Sequence, residues 1–357
     1  MNKHLDLESH PLVAIWETNA NFGPVRDPAN SSSGDAPELS DQEAEEMLRD
    51  IAELRPPIFV FTGTDPLRRK NINSLVQYAA ACNLHPTMLL TPASSVSRKA
   101  IADLKSAQLS RLTVTLQGPS EESHDQLTGV PGSFMRTLQI IQWANELRLP
   151  VQVRTQLSRR NVRHLEEMAA VLKRFRVLGW SLDFPLHCPD QEGCGILCAA
   201  EFEQAFARIY QVSRKVPFKV KTGEAQHYRR FVVQRSIRLD RAGLTLLPPA
   251  HGGIPGILPV NEARGTLFIS STGEIYPSES LRVSAGNIRR RNIAEVYRAS
   301  RLFTSLRDTS NLKGKCGRCE FKEMCGGSRA RAWAITGDMF SEEYACSYQP
   351  AMARKTG

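Results

Sequence analysis

Residues 55–90 read RPPIFVFTGTDPLRRKNINSLVQYAAACNLHPTMLL. A short apolar run at 58–62 breaks at Gly63-Thr64-Asp65-Pro66, a composition that turns the chain. Residues 72–82 repeat their apolar positions at helical spacing, and 86–90 is a second apolar run. Strand, loop, helix and strand of these lengths predict two parallel strands joined by a crossover helix. The same alternation extends both ways. A strand is expected at 12–18, and a helix at 40–55 behind the capping signature Ser40-Asp41-Gln42-Glu43. Beyond 90 come helix 97–107, strand 111–116, an acidic segment at 120–127, helix 133–147, strand 151–157, helix 162–175, strand 179–186 and helix 199–213. That makes about six β/α units, short of the roughly 250 residues of a closed eight-fold barrel. A partial barrel and a doubly wound sheet both fit.

With 357 residues, 41% hydrophobic and 23% charged, the composition is that of a globular protein. No run approaches the roughly 18 apolar residues of a membrane helix, and the polar N-terminus is unlike a signal peptide. The expectation is a cytoplasmic protein without membrane contact. The net charge of +9 is dispersed, with local runs at 68–70, 159–160 and 289–291. Aromatic residues do not interleave with these runs, so no nucleic-acid partner is expected. A solvated basic surface or an acidic partner fits the charge.

After residue 220 the rhythm changes. Residues 246–260 are rich in Pro and Gly, 265–270 and 274–276 read as a β-hairpin, and 292–300 as a short helix. Cysteines close the chain: Cys316, Cys319, Cys325 and Cys346 follow the spacing Cys-x2-Cys-x5-Cys-x20-Cys. A Cys-x-x-Cys pair brings two thiolates to one metal from a single turn, and Gly317, Gly326 and Gly327 let the backbone wrap closely. Four thiolates suit a structural zinc or an iron–sulfur cluster, and spacing leaves both open.

The segments LKGKCGRCEFKEMCGGSRARAWAITGD (312–338), TGEIYPSESLRVSAGNIR (272–289), GVPGSF (129–134) and PLVAIWETN (11–19) resemble radical S-adenosylmethionine (radical SAM) proteins with a C-terminal SPASM/twitch extension, of the tetrapyrrole-modifying, haem-biosynthesis-like branch. The resemblance implies an α/β fold: a partial (β/α)6 TIM-type barrel followed by a small Cys-rich SPASM/twitch domain. The expected division is an N-terminal segment with the first strand at 1–39, barrel at 40–220, a connecting segment with the hairpin at 221–310 and the iron–sulfur domain at 311–357. It also implies that Cys316, Cys319, Cys325 and Cys346 hold one auxiliary [4Fe–4S] cluster.

In that family the loop after the first strand carries Cys-x3-Cys-x2-Cys, whose thiolates hold the cluster that cleaves S-adenosylmethionine. Aligned on Trp16-Glu17-Thr18, those positions here are Asn21, Val25 and Pro28. Valine and proline offer iron no side-chain ligand, and an amide suits a soft cluster poorly. The implied S-adenosylmethionine pocket falls on Gly63, Asp65 and Pro66 after strand two, Gln117 after strand four and Arg154 on strand five. Thr64, Gln117 and Arg154 depart from the family pattern. The expectation is a pseudoenzyme-like protein that binds a peptide, a tetrapyrrole or an intact radical SAM partner, or relays electrons to it, without conventional cleavage of S-adenosylmethionine. The alternatives are an active enzyme with altered chemistry and a zinc-stabilised barrel without redox function.

Other candidates have ordinary readings beside the functional one. Cys188, Cys194 and Cys198, with His187, read as loop thiols or a second metal site. Cys82 reads as a small buried apolar residue. His227 reads as a satisfied structural histidine or a substrate contact, and Glu17 and Asp65 as partners for Arg154.

Overall fold

The computed structural model describes residues 6–19, 37–94, 96–186, 195–241 and 259–350. Parallel strands alternate with helices from the start: β1 (Val13–Glu17), α1 (Asp41–Glu53), β2 (Ile58–Thr62), α2 (Ile72–Ala81), β3 (Pro86–Leu89), α3 (Arg98–Ser106) and β4 (Arg111–Thr115). Then come α4 (Glu121–Thr128), α5 (Ser133–Glu146), β5 (Val151–Gln156), α6 (Leu165–Leu172), β6 (Val177–Asp183), α7 (Ala199–Ser213), β7 (Lys219–Gly223) and α8 (His227–Arg241). The chain continues through β8 (Thr266–Ile269), β9 (Glu274–Tyr276), β10 (Gly286–Asn287), α9 (Ile293–Ala299), α10 (Arg301–Arg307), α11 (Gly314–Gly317) and α12 (Arg329–Thr336).

The ten strands of the described residues form one sheet, ordered β10-β9-β8-β1-β2-β3-β4-β5-β6-β7. Strand β8 pairs in parallel with β1, so β8 and β1 through β7 run the same way, while β9 and β10 add antiparallel edges. This is the partial barrel expected, with one further strand, β7, and the hairpin joined to its sheet. The added strand β7 carries Lys219 and Lys221 at alternate positions and so has no apolar pattern. The expected hairpin, β8–β9, does form, but it extends the barrel sheet beyond β1. The acidic segment is helix α4, started by Ser120 accepting from Ser123 N, and the expected helix at 162–175 shortens to α6 behind a 3-10 turn.

Side chains alternate across the sheet. Trp16, Phe59, Phe61, Met88, Leu112, Val114, Val153, Trp180 and Leu182 face the helices and are buried. Full burial of each such side chain contributes about 1.5–3 kcal/mol. Their neighbours in register, including Glu17, Thr115, Arg154, Ser181, Asp183 and Lys221, fall on the other, polar face. The Ser40 capping box forms as expected: Glu43 N donates to Ser40 Oγ at 3.3 Å and Ser40 N to Glu43 Oε2 at 2.8 Å. Glu43 also pairs with Arg289, which ties α1 to the turn after β10.

Candidate functional site

The C-terminal ends of β1 and β2 meet at Gly63. Its φ of +139° is a conformation L side chains rarely adopt, and a Cβ there would stand 2.3 Å from Asn19 Oδ1. Asn19 Nδ2 donates to the carbonyl of Asp65 at 2.7 Å, so the chain leaving β1 is tied to the turn after β2. Asp65 accepts from Leu67 N at 3.3 Å and so caps the 3-10 turn Pro66–Arg68, in which Pro66 is buried. Asn21, Val25 and Pro28 lie outside the described residues.

Gln117 serves the loops. Its Oε1 accepts from Gln156 N at 2.9 Å, its N donates to His124 Nδ1 at 3.0 Å and its carbonyl accepts from Asn161 at 3.0 Å. Arg154 pairs with Asp183 and reaches Glu279 Oε2 at 3.5 Å. Asp183 and Glu279 raise the guanidinium pKa further. The expected pairing of Arg154 with Glu17 or Asp65 does not occur. Glu17 instead binds Arg282 at 3.0 Å, and Arg282 lies over the Phe268 ring. The five candidate pocket residues thus occupy the rim in separate groups: Gly63, Asp65 and Pro66 with Asn19, Gln117 with Gln156, and Arg154 with Asp183.

The four C-terminal cysteines do converge. Cys316, Cys319, Cys325 and Cys346 line one cavity with His227, Arg230, Lys315, Gly327 and Glu343, and none forms a disulfide. Gly327, at φ +68°, has no room for a side chain: an added Cβ would stand 2.5 Å from Arg329 Nη2 and 2.8 Å from Glu343 Cβ. Glu343 N donates to Cys316 Sγ at 3.3 Å, and Arg230 Nη2 lies 3.9 Å from Cys346 Sγ. Burial raises the thiol pKa of all four, that of Cys325 to about 12. A bound metal reverses that preference, since its ligands are thiolates. By type four thiols suit thiolate ligation, but among the described residues no three Cys, His, Asp or Glu side chains stand close enough together to hold a single metal ion.

Cys198 is exposed at the start of α7, after β6, while Cys188, Cys194 and His187 lie outside the described residues. Cys82 is half-buried, ends α2 and packs against the core. His227 is not satisfied. It is buried between Phe202 and Phe206, with ring centroids at 5.1 and 4.9 Å, and among the described residues neither ring nitrogen makes a hydrogen bond of ordinary length and angle.

A buried polar junction joins the cysteine segment to the barrel. Arg331 and Glu343, 3% and 1% exposed, pair at 2.9 Å, and Arg331 Nη2 donates to the carbonyl of Glu224 at 2.7 Å, at the end of β7. Ser328 Oγ stands 2.8 Å from Glu224 Oε2 and 3.3 Å from Glu262 Oε1. Ala330 N donates to Glu262 Oε1 at 2.9 Å, while Glu262 Oε2 is buried without a partner. Glu224 holds a φ of +52°, costly for a side-chain-bearing residue. Burial, with Glu262 adding to it, pushes the Glu224 carboxyl up to about 7. In sequence Arg329 and Arg331 read only as positive charge beside the thiolates, whereas Arg331 pairs with Glu343, and Glu224 and Glu262 meet only in the fold.

Residues 22–172 match the radical SAM superfamily model. An AdoMet-dependent heme synthase of Methanosarcina barkeri is 30% identical over 343 residues, covering 95% of this chain and 97% of the relative. A PqqA peptide cyclase of Rhodopseudomonas palustris is 26% identical, covering 88% and 80% of the two chains. Among solved structures, Streptococcus suis SuiB superposes with a TM-score of 0.68 at 13% identity, over 95% of this chain and 78% of that one. The anSMEcpe enzyme with bound AdoMet gives 0.65 at 13% identity, over 94% and 90%. These structures share the fold, and the heme synthase carries the kinship: the chain belongs to the radical SAM superfamily.

Proposed function

We propose that this protein is a radical-SAM-like iron–sulfur protein that does not cleave S-adenosylmethionine in the conventional way and acts in the cytoplasm as a binding platform or electron relay in tetrapyrrole or peptide modification. One observation carries the reading: the first cysteine in the chain is Cys82. It ends α2, just before β3 begins at Pro86, and so sits at the edge of the sheet opposite the loop after β1. No thiol precedes it to hold a cluster in that loop. The names of the relatives support a tetrapyrrole or peptide ligand.

Cys316, Cys319, Cys325 and Cys346 would hold one [4Fe–4S] cluster, which when bound supplies one-electron transfer. Lys315 and Arg230 place positive charge beside the thiolates, and the Glu343 N–H donates to Cys316 Sγ. The polar face of the sheet, with Arg154, Asp183, Glu279, Glu17 and Arg282, offers paired charges to a ligand in the barrel. A second reading, an active enzyme with altered chemistry, draws on Cys198, exposed just beyond β6.

The test is the iron, acid-labile sulfide and zinc content of anaerobically reconstituted protein, wild type and Cys316→Ala/Cys319→Ala. About four irons per chain, lost in the variant and without 5′-deoxyadenosine under reduction, supports the proposal. About eight irons, with four surviving in the variant, gives the second reading the lead. One zinc without sulfide refutes any redox role.

A further inference from the structure

The cavity of the four cysteines is lined by two side chains with buried nitrogens that find no partner among the described residues: Arg230 at Nε and His227 at both ring nitrogens. His227 opens α8, is 1% exposed and lies against the rings of Phe202 and Phe206. A neutral imidazole carries one N–H donor and one acceptor nitrogen. Among the described residues neither buried nitrogen makes a hydrogen bond of ordinary length and angle, the Ala345 backbone giving the ring a weak contact at most, although the ring lines the same cavity as all four thiols. Leaving such a group unpaired costs about 1–3 kcal/mol. Phenylalanine would fill this aromatic nest without that cost.

Arg230, one helical turn further along α8, approaches the same cavity. Its Nη2 lies 3.9 Å from Cys346 Sγ, Glu203 and Gln234 hold the two terminal nitrogens, and Nε is buried without a partner among the described residues. Lys315 is anchored by the carbonyl of Cys346 at 2.7 Å. The cavity therefore has a cation beside the Cys346 thiol and an imidazole with a spare donor, both from α8, a helix of the barrel.

We propose that the His227 ring N–H donates a hydrogen bond to the sulfur of the cluster held by Cys316, Cys319, Cys325 and Cys346, and so sets its reduction potential from the barrel side. This rests on the iron–sulfur reading given above. His227 is a positioning and tuning residue and ligates no iron. The physical basis is that reduction adds negative charge to the cluster, and a donor aimed at its sulfur stabilises that charge more in the reduced than in the oxidised state. His227 thus holds the potential above that of an otherwise identical apolar site.

The experiment compares wild type, His227→Phe and His227→Gln as reconstituted full-length protein. It measures iron and sulfide content, the midpoint potential by optical redox titration and the EPR spectrum of the reduced state. The expected result is unchanged cluster content in all three, a midpoint potential shifted negative in His227→Phe, and partial recovery in His227→Gln, which keeps an N–H donor. In metal-free protein His227→Phe is expected to be at least as stable to urea as wild type. Equal potentials in wild type and His227→Phe, at full cluster content, overturn the inference and leave the iron–sulfur reading intact. Loss of iron from His227→Phe in protein that still folds also overturns it, by making the ring a ligand. A wild-type protein that takes up zinc and no sulfide defeats the underlying reading instead.

Discussion

Replacing Glu343 by leucine tests whether the cysteine segment is locked onto the barrel by one buried ion pair. The carboxylate accepts from Arg331 Nη1 at 2.9 Å, from Ser328 N at 2.8 Å and from Ala345 N at 3.0 Å. Burial works against its charge, but Arg331 and these N–H groups overcome it and hold the pKa below the ordinary value. Without the carboxylate, Arg331 keeps the carbonyls of Phe184, Pro185 and Glu224 and its place over the Phe202 ring. Breaking a buried pair in this way costs about 3–5 kcal/mol, because a charge is left uncompensated. The remaining carbonyls favour the lower end, about 3 kcal/mol. Urea unfolding of the metal-free protein reads this directly and keeps loss of bound metal out of the comparison. The double variant Arg331→Met/Glu343→Leu should be more stable than the sum of the two single losses by at least about 2 kcal/mol. A single-variant cost below about 1 kcal/mol, or strictly additive losses, would refute the view that this pair fixes the junction.

At the same junction, Glu224→Gln should change how stability depends on pH. A raised carboxyl pKa means the folded state keeps a proton that the unfolded chain releases above about 4.5, so stability falls as pH rises from about 4.5 to about 7 and levels off above that. The glutamine variant should lose that decline, and an unchanged profile between about pH 5 and 8 counts against the buried-acid description. Gly63→Ala should destabilise by about 1–3 kcal/mol from its φ and the contact with Asn19. Adding Asn19→Ala should relieve only the contact; full recovery would show that φ costs nothing. Arg289→Ala should cost less than about 1 kcal/mol at neutral pH, since the pair is partly exposed. Arg289 and the Ser40 N–H hold Glu43 down to about 2, so this contribution should persist above about 4.5 and fade as pH falls toward 2. A cost independent of pH would assign the effect of Arg289 to its bonds with the carbonyls of Thr272 and Pro37 instead.

Much of this molecule is legible in its sequence because local chemistry repeats. The strand at 58–62, the helix at Ala199–Ser213, the Ser40–Glu43 cap and the convergence of four cysteines each depend on residues close in the chain or on a spacing that only a few folds satisfy. The strand β7 escaped notice because its alternate positions are lysines on the polar face of the sheet, where apolar periodicity has no reason to appear. Parallel pairing of β8 with β1 joins residues about 250 positions apart, which no local pattern encodes. The partner of Arg154 was misjudged for the same reason. Sequence offers Glu17 and Asp65 on neighbouring strand ends, while pairing of β5 with β6 and the chain after β9 bring Asp183 and Glu279 to Arg154 instead. Amino-acid type alone determined that four thiols can take a metal and that Val25 and Pro28 cannot bind iron through a side chain. The tertiary structure decided that His227 faces those thiols without an ordinary hydrogen bond among the described residues and that Glu224 meets Glu262 across Ser328. Burial and proximity between distant segments exist only once the chain is folded.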